Sequence, residues 1–132
     1  MITKTEGFVN GAPLLLLRLE GFAIAIASIL AFSRSGASWQ LFAALILAPD
    51  LSILFYLAGP RLGAAFYNAV HIYVGPIALF AASAALAAPA GIAAAMIWCA
   101  HIGIDRALGF GLKYGGGFTL THLGPIGRQK QG

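Results

Sequence analysis

The sequence predicts an all-α membrane protein, with four transmembrane helices in an antiparallel bundle and both termini in the cytoplasm. Of its 132 residues, 60% are hydrophobic and only 9% are charged, whereas soluble domains carry about 25% charged residues. Apolar stretches of about 20 residues, enough to cross roughly 30 Å of hydrocarbon, follow one another between short turns. The length allows one domain, residues 1–132.

The first two spans are predicted over residues 13–32 and 39–57. Asn10-Gly11-Ala12-Pro13 marks the start of the first helix, because proline is tolerated in the first helical turn. Trp39 opens the second span at an interface position, where tryptophan is enriched. Pro49 interrupts that span and frees a backbone carbonyl near its centre.

The last two spans are predicted over residues 62–86 and 92–110, joined by a tight connection without charge. Pro76 lies within the third span. The remaining residues, 113–132, are rich in glycine and basic, and we expect this tail to lie on the membrane surface.

Composition also excludes several classes of protein. Cys99 is the only cysteine, which excludes intrachain disulfides and disfavours a cysteine-based zinc site. No basic patch with interleaved aromatic residues predicts nucleic-acid binding. A cleaved signal peptide is not expected, because Arg18 and Glu20 interrupt the first apolar run and no small-x-small site follows.

The distribution of basic residues predicts the orientation. With four spans both termini share a side, and that side holds most of the positive charge, whereas the opposite side holds only Arg34. The positive-inside rule therefore places the termini in the cytoplasm. The basic residues on that side are Lys4, Arg61, Lys113, Arg128 and Lys130.

Every predicted span carries a carboxylate or an imidazole at a similar depth, roughly 8–14 Å below the cytoplasmic surface. An ionised side chain at the centre of a helix costs about 2.5–3.5 kcal/mol on membrane insertion, so scattered charges would be penalised heavily. Clustered groups can hydrogen-bond, share protons or bind a cation. The layer comprises Glu20, Asp50, His71, His101 and Asp105.

The leading hypothesis is a metal site in this layer, catalytic on a lipid-like or other hydrophobic small molecule. Four-helix bundles build such sites from inward carboxylates and imidazoles. The nitrogen and oxygen donors suit zinc, iron or manganese. The predicted ligands are Asp50, His71, His101 and Asp105.

Five further residues receive supporting roles in this hypothesis. Glu20 would act as general base or support the ligands from outside, and Asn68 would orient the histidine one turn away. Arg61 and Arg106 would hold an anionic ligand or a lipid headgroup. His122 would fold back over the site as a lid, through a glycine hinge at residues 115–117.

Other interpretations stay open from the sequence alone. Each polar residue taken singly can serve helix packing, and His101 and Asp105 can form only an intrahelical hydrogen bond. A b-type haem between His71 and His101 is one alternative. A proton or cation pathway, or an accessory subunit of a larger membrane complex, is another. Small residues such as Gly63 and Ala94 would then allow close contact with a partner or a second copy.

Several motifs resemble a family of short bacterial integral membrane proteins catalogued only as a domain of unknown function (numbered forty-two sixty). They include Ala48-Pro49-Asp50-Leu51-Ser52, Tyr67-Asn68-Ala69-Val70-His71 and the segment from His101 to Gly109. The resemblance covers nearly the whole chain. It implies a small four-span membrane protein from a bacterium and no known activity. We expect a multi-pass protein of the bacterial inner (cytoplasmic) membrane. The polar residues that the family pattern retains are Asp50, Asn68, His71, His101, Asp105 and His122.

Overall fold

The computed structural model describes residues 8–114 and 120–125, which form helices joined by short turns and, near the C-terminal end, two short strands. The strands Leu120–Thr121 (β1) and Gly124–Pro125 (β2) pair antiparallel. The helices are α1 (Gly11–Arg34), α2 (Trp39–Leu45), a 3₁₀ helix (Ala48–Ala58), α3 (Pro60–Val70), α4 (Val74–Ala85) and α5 (Pro89–Leu108).

The helices have the length and composition of membrane spans. Within residues 8–114 and 120–125, three helices are long and apolar enough to cross a membrane, if α2 and the 3₁₀ helix count as one. The bent pair of α3 and α4 makes a fourth if it is one span. Large apolar side chains cover the outside: Leu57 is 91% exposed and Leu86 79%. This surface is compatible with lipid contact. The predicted helical class with candidate membrane spans is confirmed.

The second span breaks before Pro49, as predicted. Proline has no N–H and its ring clashes with the carbonyl four residues earlier, so α2 ends at Leu45. Beyond the break, the Asp50 N–H bonds to the Leu47 carbonyl at 3.0 Å in the tighter 3₁₀ pattern. The carbonyl of Ile46, which an α-helix would pair with Asp50, is therefore available to another donor.

The third span is not the single helix predicted over residues 62–86. It consists of α3 and α4, bent by 41° at the break between them. Pro76 lies in the first turn of α4 and cannot supply the N–H that would continue the helix to Ile72. The break places His71 at the end of α3, where its carbonyl is free to accept a side-chain donor.

Small residues allow α1 and α5 to pack closely. A Cβ atom added to Gly21 would collide with the Cβ of Arg106 and the carbonyl of Gly103. A Cβ added to Gly103 would in turn collide with the backbone of Gly21 and Ala25. Such contact between backbones is typical of small residues four apart on membrane helices. This close contact sets the rotation of α5 about its axis, and therefore the direction in which the other side chains of α5 point.

An aromatic cluster packs the other end of α1. Phe32 is fully buried against Ala93 and Ile97 of α5. Its ring lies 5.0 Å from that of Trp39 and 5.2 Å from that of Phe42, both in edge-on arrangements. These contacts attach the start of α2 to the α1–α5 pair.

The described part of the C-terminal tail packs against the helices. Lys113 pairs with Thr121 as an isolated bridge, and both residues are buried. The Val9 N–H donates to the His122 carbonyl at 2.8 Å, so the segments next to both termini meet. The hinge at 115–117 and the basic residues Lys4, Arg128 and Lys130 lie outside the described residues.

Candidate metal centre

The four predicted ligands converge on one point. Asp50 comes from the 3₁₀ helix, His71 from the break between α3 and α4, and His101 and Asp105 from one face of α5. One donor atom from each residue lies within 4.8 Å of all the others. The two histidines are buried and the two aspartates are partly buried.

Short distances connect the donor atoms. The Nε2 atoms of His71 and His101 are 3.2 Å apart. Oδ1 of Asp50 lies 3.2 Å from the first of these nitrogens and 3.1 Å from the second. Oδ2 of Asp105 lies 3.7 Å and 3.2 Å from the same two nitrogens.

Backbone carbonyls set the tautomer of both histidines. Nδ1 of His71 lies 2.7 Å from the Tyr67 carbonyl, and Nδ1 of His101 lies 2.5 Å from the Ile46 carbonyl. A carbonyl only accepts hydrogen bonds, so each Nδ1 must carry the proton. In neutral rings both Nε2 atoms then present lone pairs to each other and to the two carboxylates. Four acceptors without a donor between them can be held together by a shared proton or by a metal ion.

The spacing fits a metal ion. Ligand atoms about 2.0–2.1 Å from a tetrahedral zinc are roughly 3.3 Å from one another. Neighbouring ligands of an octahedral iron or manganese are roughly 3.0 Å apart. The five distances above, 3.1–3.7 Å, cover both cases. Metal-bound histidines characteristically donate their other N–H to a carbonyl or carboxylate, as both rings do here.

A haem does not fit between the same two histidines. Two metal–imidazole bonds of about 2.0–2.1 Å on opposite faces of a porphyrin need Nε2 atoms roughly 4 Å apart. The observed 3.2 Å is too short. The rings also meet edge-on, at 62°, with carboxylate oxygens of Asp50 and Asp105 against both nitrogens. This geometry favours a metal ion held by all four residues over a bis-histidine haem.

The cluster is open on the side of Asp50. Its side chain is 38% exposed, against 18% for Asp105 and 4% for each histidine. An apolar cavity of about 240 Å³ has Pro49, Val70 and Trp98 in its wall, and the first two directly precede Asp50 and His71 in the chain. The indole N–H of Trp98 donates to the Val70 carbonyl at 2.7 Å, which ties α5 to the end of α3.

Asn68 makes different contacts from those predicted. Its amide binds the backbone of Lys113 twice, donating to the carbonyl at 2.8 Å and accepting from the N–H at 2.6 Å. The orientation of His71 comes instead from Tyr67, whose carbonyl accepts from Nδ1 and whose ring stacks on the imidazole at 3.7 Å. Asn68 thus anchors the tail to α3.

Lys113 lies on the far side of this stack. Its Nζ is 4.9 Å from the centre of the Tyr67 ring, within range of a cation–π interaction. Burial lowers the pKa of Lys113 to about 8, although the charges of Asp105 and Asp50 act in the opposite direction. A buried amine therefore lies close to the cluster.

The two predicted anion-binding arginines have separate positions. Arg106 is partly buried, and its Nη2 donates to the His71 carbonyl at 3.0 Å. It thereby supports a ligand through the carbonyl that the helix break makes available. Arg61, in the first turn of α3, is exposed.

Glu20 and His122 both lie at a second cleft, away from the cluster. Neither belongs to the group of four donor atoms. Both line a cleft of about 210 Å³, together with Tyr73 and Arg106. Nδ1 of His122 accepts from the Leu112 N–H at 2.9 Å, so the imidazole is fixed against the tail. Burial, and then the charge of Arg106, lower the pKa of His122.

The small residues expected to face a partner are used within the chain. Gly63 packs on the ring of Tyr56, and Ala64 is buried. On α5, Ala95 is buried and Ala94 lines the apolar cavity.

Comparison with known proteins identifies the family. A family model described as a domain of unknown function (DUF4260) matches residues 14–126. The chain belongs to this family. The match to DUF4260 covers most of α1, all the later helices and every residue of the cluster. No curated protein and no solved structure matches the chain significantly.

Two polar groups near the cluster were not predicted from the sequence: a backbone carbonyl and a buried amine. The carbonyl of Ile46 has no side-chain signal, although the Pro49 break indicates that a nearby carbonyl is free. Lys113 counted only as a basic residue of the tail, and nothing in its local sequence indicates burial.

Proposed function

We propose that this protein binds one divalent metal ion in the cytoplasmic half of a bacterial inner membrane, and that the metal acts as a Lewis acid on a hydrophobic, lipid-like molecule. The ligands are Asp50, His71, His101 and Asp105. The observation that carries the proposal is the orientation of both imidazoles, whose Nδ1 atoms donate to backbone carbonyls while their Nε2 atoms meet.

Charge balance supports a divalent ion. Two neutral imidazoles and two carboxylates carry a charge of −2, which a divalent cation neutralises. Buried charge must be paired in a low-dielectric medium, and the apolar spans surround this site. Zinc, iron and manganese all accept this donor set.

Metal content tests the first part. The protein is purified in mild detergent without a metal-affinity column, and its metal is counted by mass spectrometry. We expect about one ion per chain in the wild type and a large loss in His101→Gln. His122→Gln is the matched control and should retain the ion, because this imidazole lies outside the cluster. Little metal in the wild type, unchanged by His101→Gln, would contradict the proposal and favour a proton between the imidazoles.

The partial exposure of the cluster supports the proposal that the metal is catalytic. A catalytic metal keeps a position open for substrate or water, and Asp50 is partly exposed, with an apolar cavity in the same part of the fold. The cavity wall is apolar in all its residues, which suits an aliphatic chain. Residues in the wall adjoin the ligands in sequence: Pro49 precedes Asp50, and Val70 precedes His71.

Hydroxamates of two chain lengths test this part. Acetohydroxamate and octanohydroxamate are titrated into cobalt-substituted protein, and the visible spectrum reports binding at the metal. We expect both to bind, the octyl compound more tightly because its chain enters the cavity. Ala94→Phe, which fills the cavity, should remove the preference and leave acetohydroxamate binding unchanged. If neither compound alters the spectrum, the metal site is closed and structural.

We also propose that the four spans run antiparallel, with both termini cytoplasmic. Contacts along α1 and α5 support it, since Arg18 bonds to Ala107, Gly21 packs on Gly103, and Phe32 packs near Ala93. Single cysteines at residues 88 and 128, introduced into a Cys99→Ala background, should react with an impermeant reagent from opposite sides. Labelling from the same side would contradict this topology.

A further inference from the structure

A second cleft collects polar groups that the metal site does not use. It lies between α1, the start of α4, the end of α5 and the C-terminal tail, with a volume of about 210 Å³. Leu17 and Ile24 give it an apolar wall on α1. Its polar groups are Glu20, Tyr73, Arg106 and His122.

Two of these groups lack partners among residues 8–114 and 120–125. The Glu20 side chain is exposed at the cleft, and its carboxylate forms no ion pair or hydrogen bond within those residues. It lies about 14 Å along α1 from the helix start, and an unpaired charge at that depth of a membrane is costly. The Tyr73 hydroxyl is buried and has no hydrogen-bond partner. Buried polar groups are normally satisfied. A ligand bound in the cleft could supply the hydrogen bonds that the carboxylate and the hydroxyl lack.

The other two groups are donors. Arg106 uses only its Nη2, on the His71 carbonyl, and the rest of its guanidinium has no bond within the described residues. His122 accepts at Nδ1, so its neutral ring carries the proton on Nε2. With the Tyr73 hydroxyl, the cleft offers three donors suited to phosphate oxygens and one carboxylate suited to a cation.

We propose that this cleft binds a phosphate ester that carries a primary ammonium group, that is, phosphoethanolamine. The phosphate meets Arg106, Tyr73 and His122, and the ammonium donates to Glu20. In a phospholipid, the acyl chains would continue along Leu17 and Ile24. The free ester shares the same polar chemistry. The proposal does not depend on a metal in the neighbouring cluster.

The carboxylate of Glu20 decides between headgroups. A choline headgroup has three methyl groups on nitrogen and cannot donate a hydrogen bond. A glycerol headgroup has no positive charge for the carboxylate. A serine headgroup adds a second carboxylate, which Glu20 repels. Ethanolamine alone of these four provides both the charge and the N–H donors without that repulsion.

Lipid binding in detergent tests the proposal. Delipidated protein is titrated with phosphatidylethanolamine, phosphatidylcholine or phosphatidylglycerol of identical acyl chains, and bound lipid is counted by native mass spectrometry. We expect about a tenfold preference for ethanolamine, the size of one charge-assisted hydrogen bond. Free phosphoethanolamine is added as competitor. Displacement of the lipid assigns the site to the soluble ester, and no displacement assigns it to the lipid.

Two variants separate the roles of the groups. Glu20→Gln should abolish the preference for ethanolamine over choline, whereas Arg34→Gln, at the other end of the same helix, should keep it. Tyr73→Phe should weaken ethanolamine and glycerol lipids alike and keep the preference between ethanolamine and choline. Equal binding of ethanolamine and choline lipids by the wild type, or a preference that survives Glu20→Gln, would overturn the proposal. The metal content of the same samples is measured as well, so that a failure of lipid binding can be distinguished from a failure of the metal site.

Discussion

The Nε2 atoms of His71 and His101 lie 3.2 Å apart, and each ring donates its other N–H to the backbone. Without a cation, two nitrogen lone pairs would face each other beside two carboxylates. The helix breaks create this arrangement. The break at Pro49 frees the Ile46 carbonyl that holds His101, and the break after α3 places His71 where it meets α5.

Removal of one carboxylate should destabilise the protein strongly. Asp105→Ala leaves the remaining groups of the cluster without part of their charge balance, and breaking a buried charge cluster costs about 3–5 kcal/mol. Thermal melts in detergent measure this loss, and a chelator added to the wild type should reproduce it. If Asp105 only hydrogen-bonds His101, the loss should be nearer the roughly 0.6 kcal/mol of an average interhelical bond in membranes, and the chelator should have no effect.

Asn68→Ala should release the tail from α3. The substitution leaves the N–H and carbonyl of buried Lys113 without their side-chain partners, at about 1–3 kcal/mol for each unsatisfied group. Hydrogen exchange of the Lys113 amide should become faster. Asn10→Ala is the control, since Asn10 makes no side-chain capping bond at the start of α1. Unchanged exchange at Lys113 in Asn68→Ala would contradict the anchoring role.

Gly21→Leu should separate α1 from α5. The added side chain collides with the backbone of Gly103 and the side chain of Arg106, and overpacking typically costs about 1–3 kcal/mol. Ala23→Leu, on an exposed position of the same helix, should change stability by less than about 0.5 kcal/mol. The free energy of unfolding in a denaturing detergent series measures both. Equal effects of the two substitutions would show that α1 does not pack through Gly21.

Lys113 should make stability depend on pH in the alkaline range. Burial lowers its pKa in the folded state to about 8, from an ordinary value of 10.5. Between these pH values the unfolded chain binds the proton and the folded chain does not, so the free energy of unfolding rises with pH. Below pH 8 both states are protonated and the full cost of burying the ammonium is present. Lys113→Met should remove this rise, measured as the difference between the two stability curves of metal-free protein. Parallel curves would contradict a buried amine.

The sequence was sufficient for the helical class and for grouping the four residues of the cluster, for a physical reason. Charged groups are so costly in a bilayer that their depth along each span carries information. Asp50, His71, His101 and Asp105 could therefore be grouped before any contact was known. The same reasoning placed Glu20 in the layer, but depth does not fix the direction around a helix, and Glu20 faces the second cleft.

Other features could not be predicted because they depend on backbone breaks and tertiary contacts. Pro76 indicated a perturbed third span, yet the position of the break at His71 depends on how α3 ends and how Arg106 reaches its carbonyl. The partner of Asn68 is a backbone segment 45 residues away. Burial of Lys113 follows from that contact and has no local pattern.

X-ray absorption at the metal edge tests the central claim most directly. The wild-type protein, loaded with zinc in detergent and washed free of excess ion, should show two imidazole ligands and carboxylate oxygens at about 2.0–2.2 Å. His71→Gln and His101→Gln should each remove one imidazole from the spectrum or lose the ion. A spectrum without imidazole scattering, or one that is identical in wild type and both variants, would contradict a metal centre built from these residues.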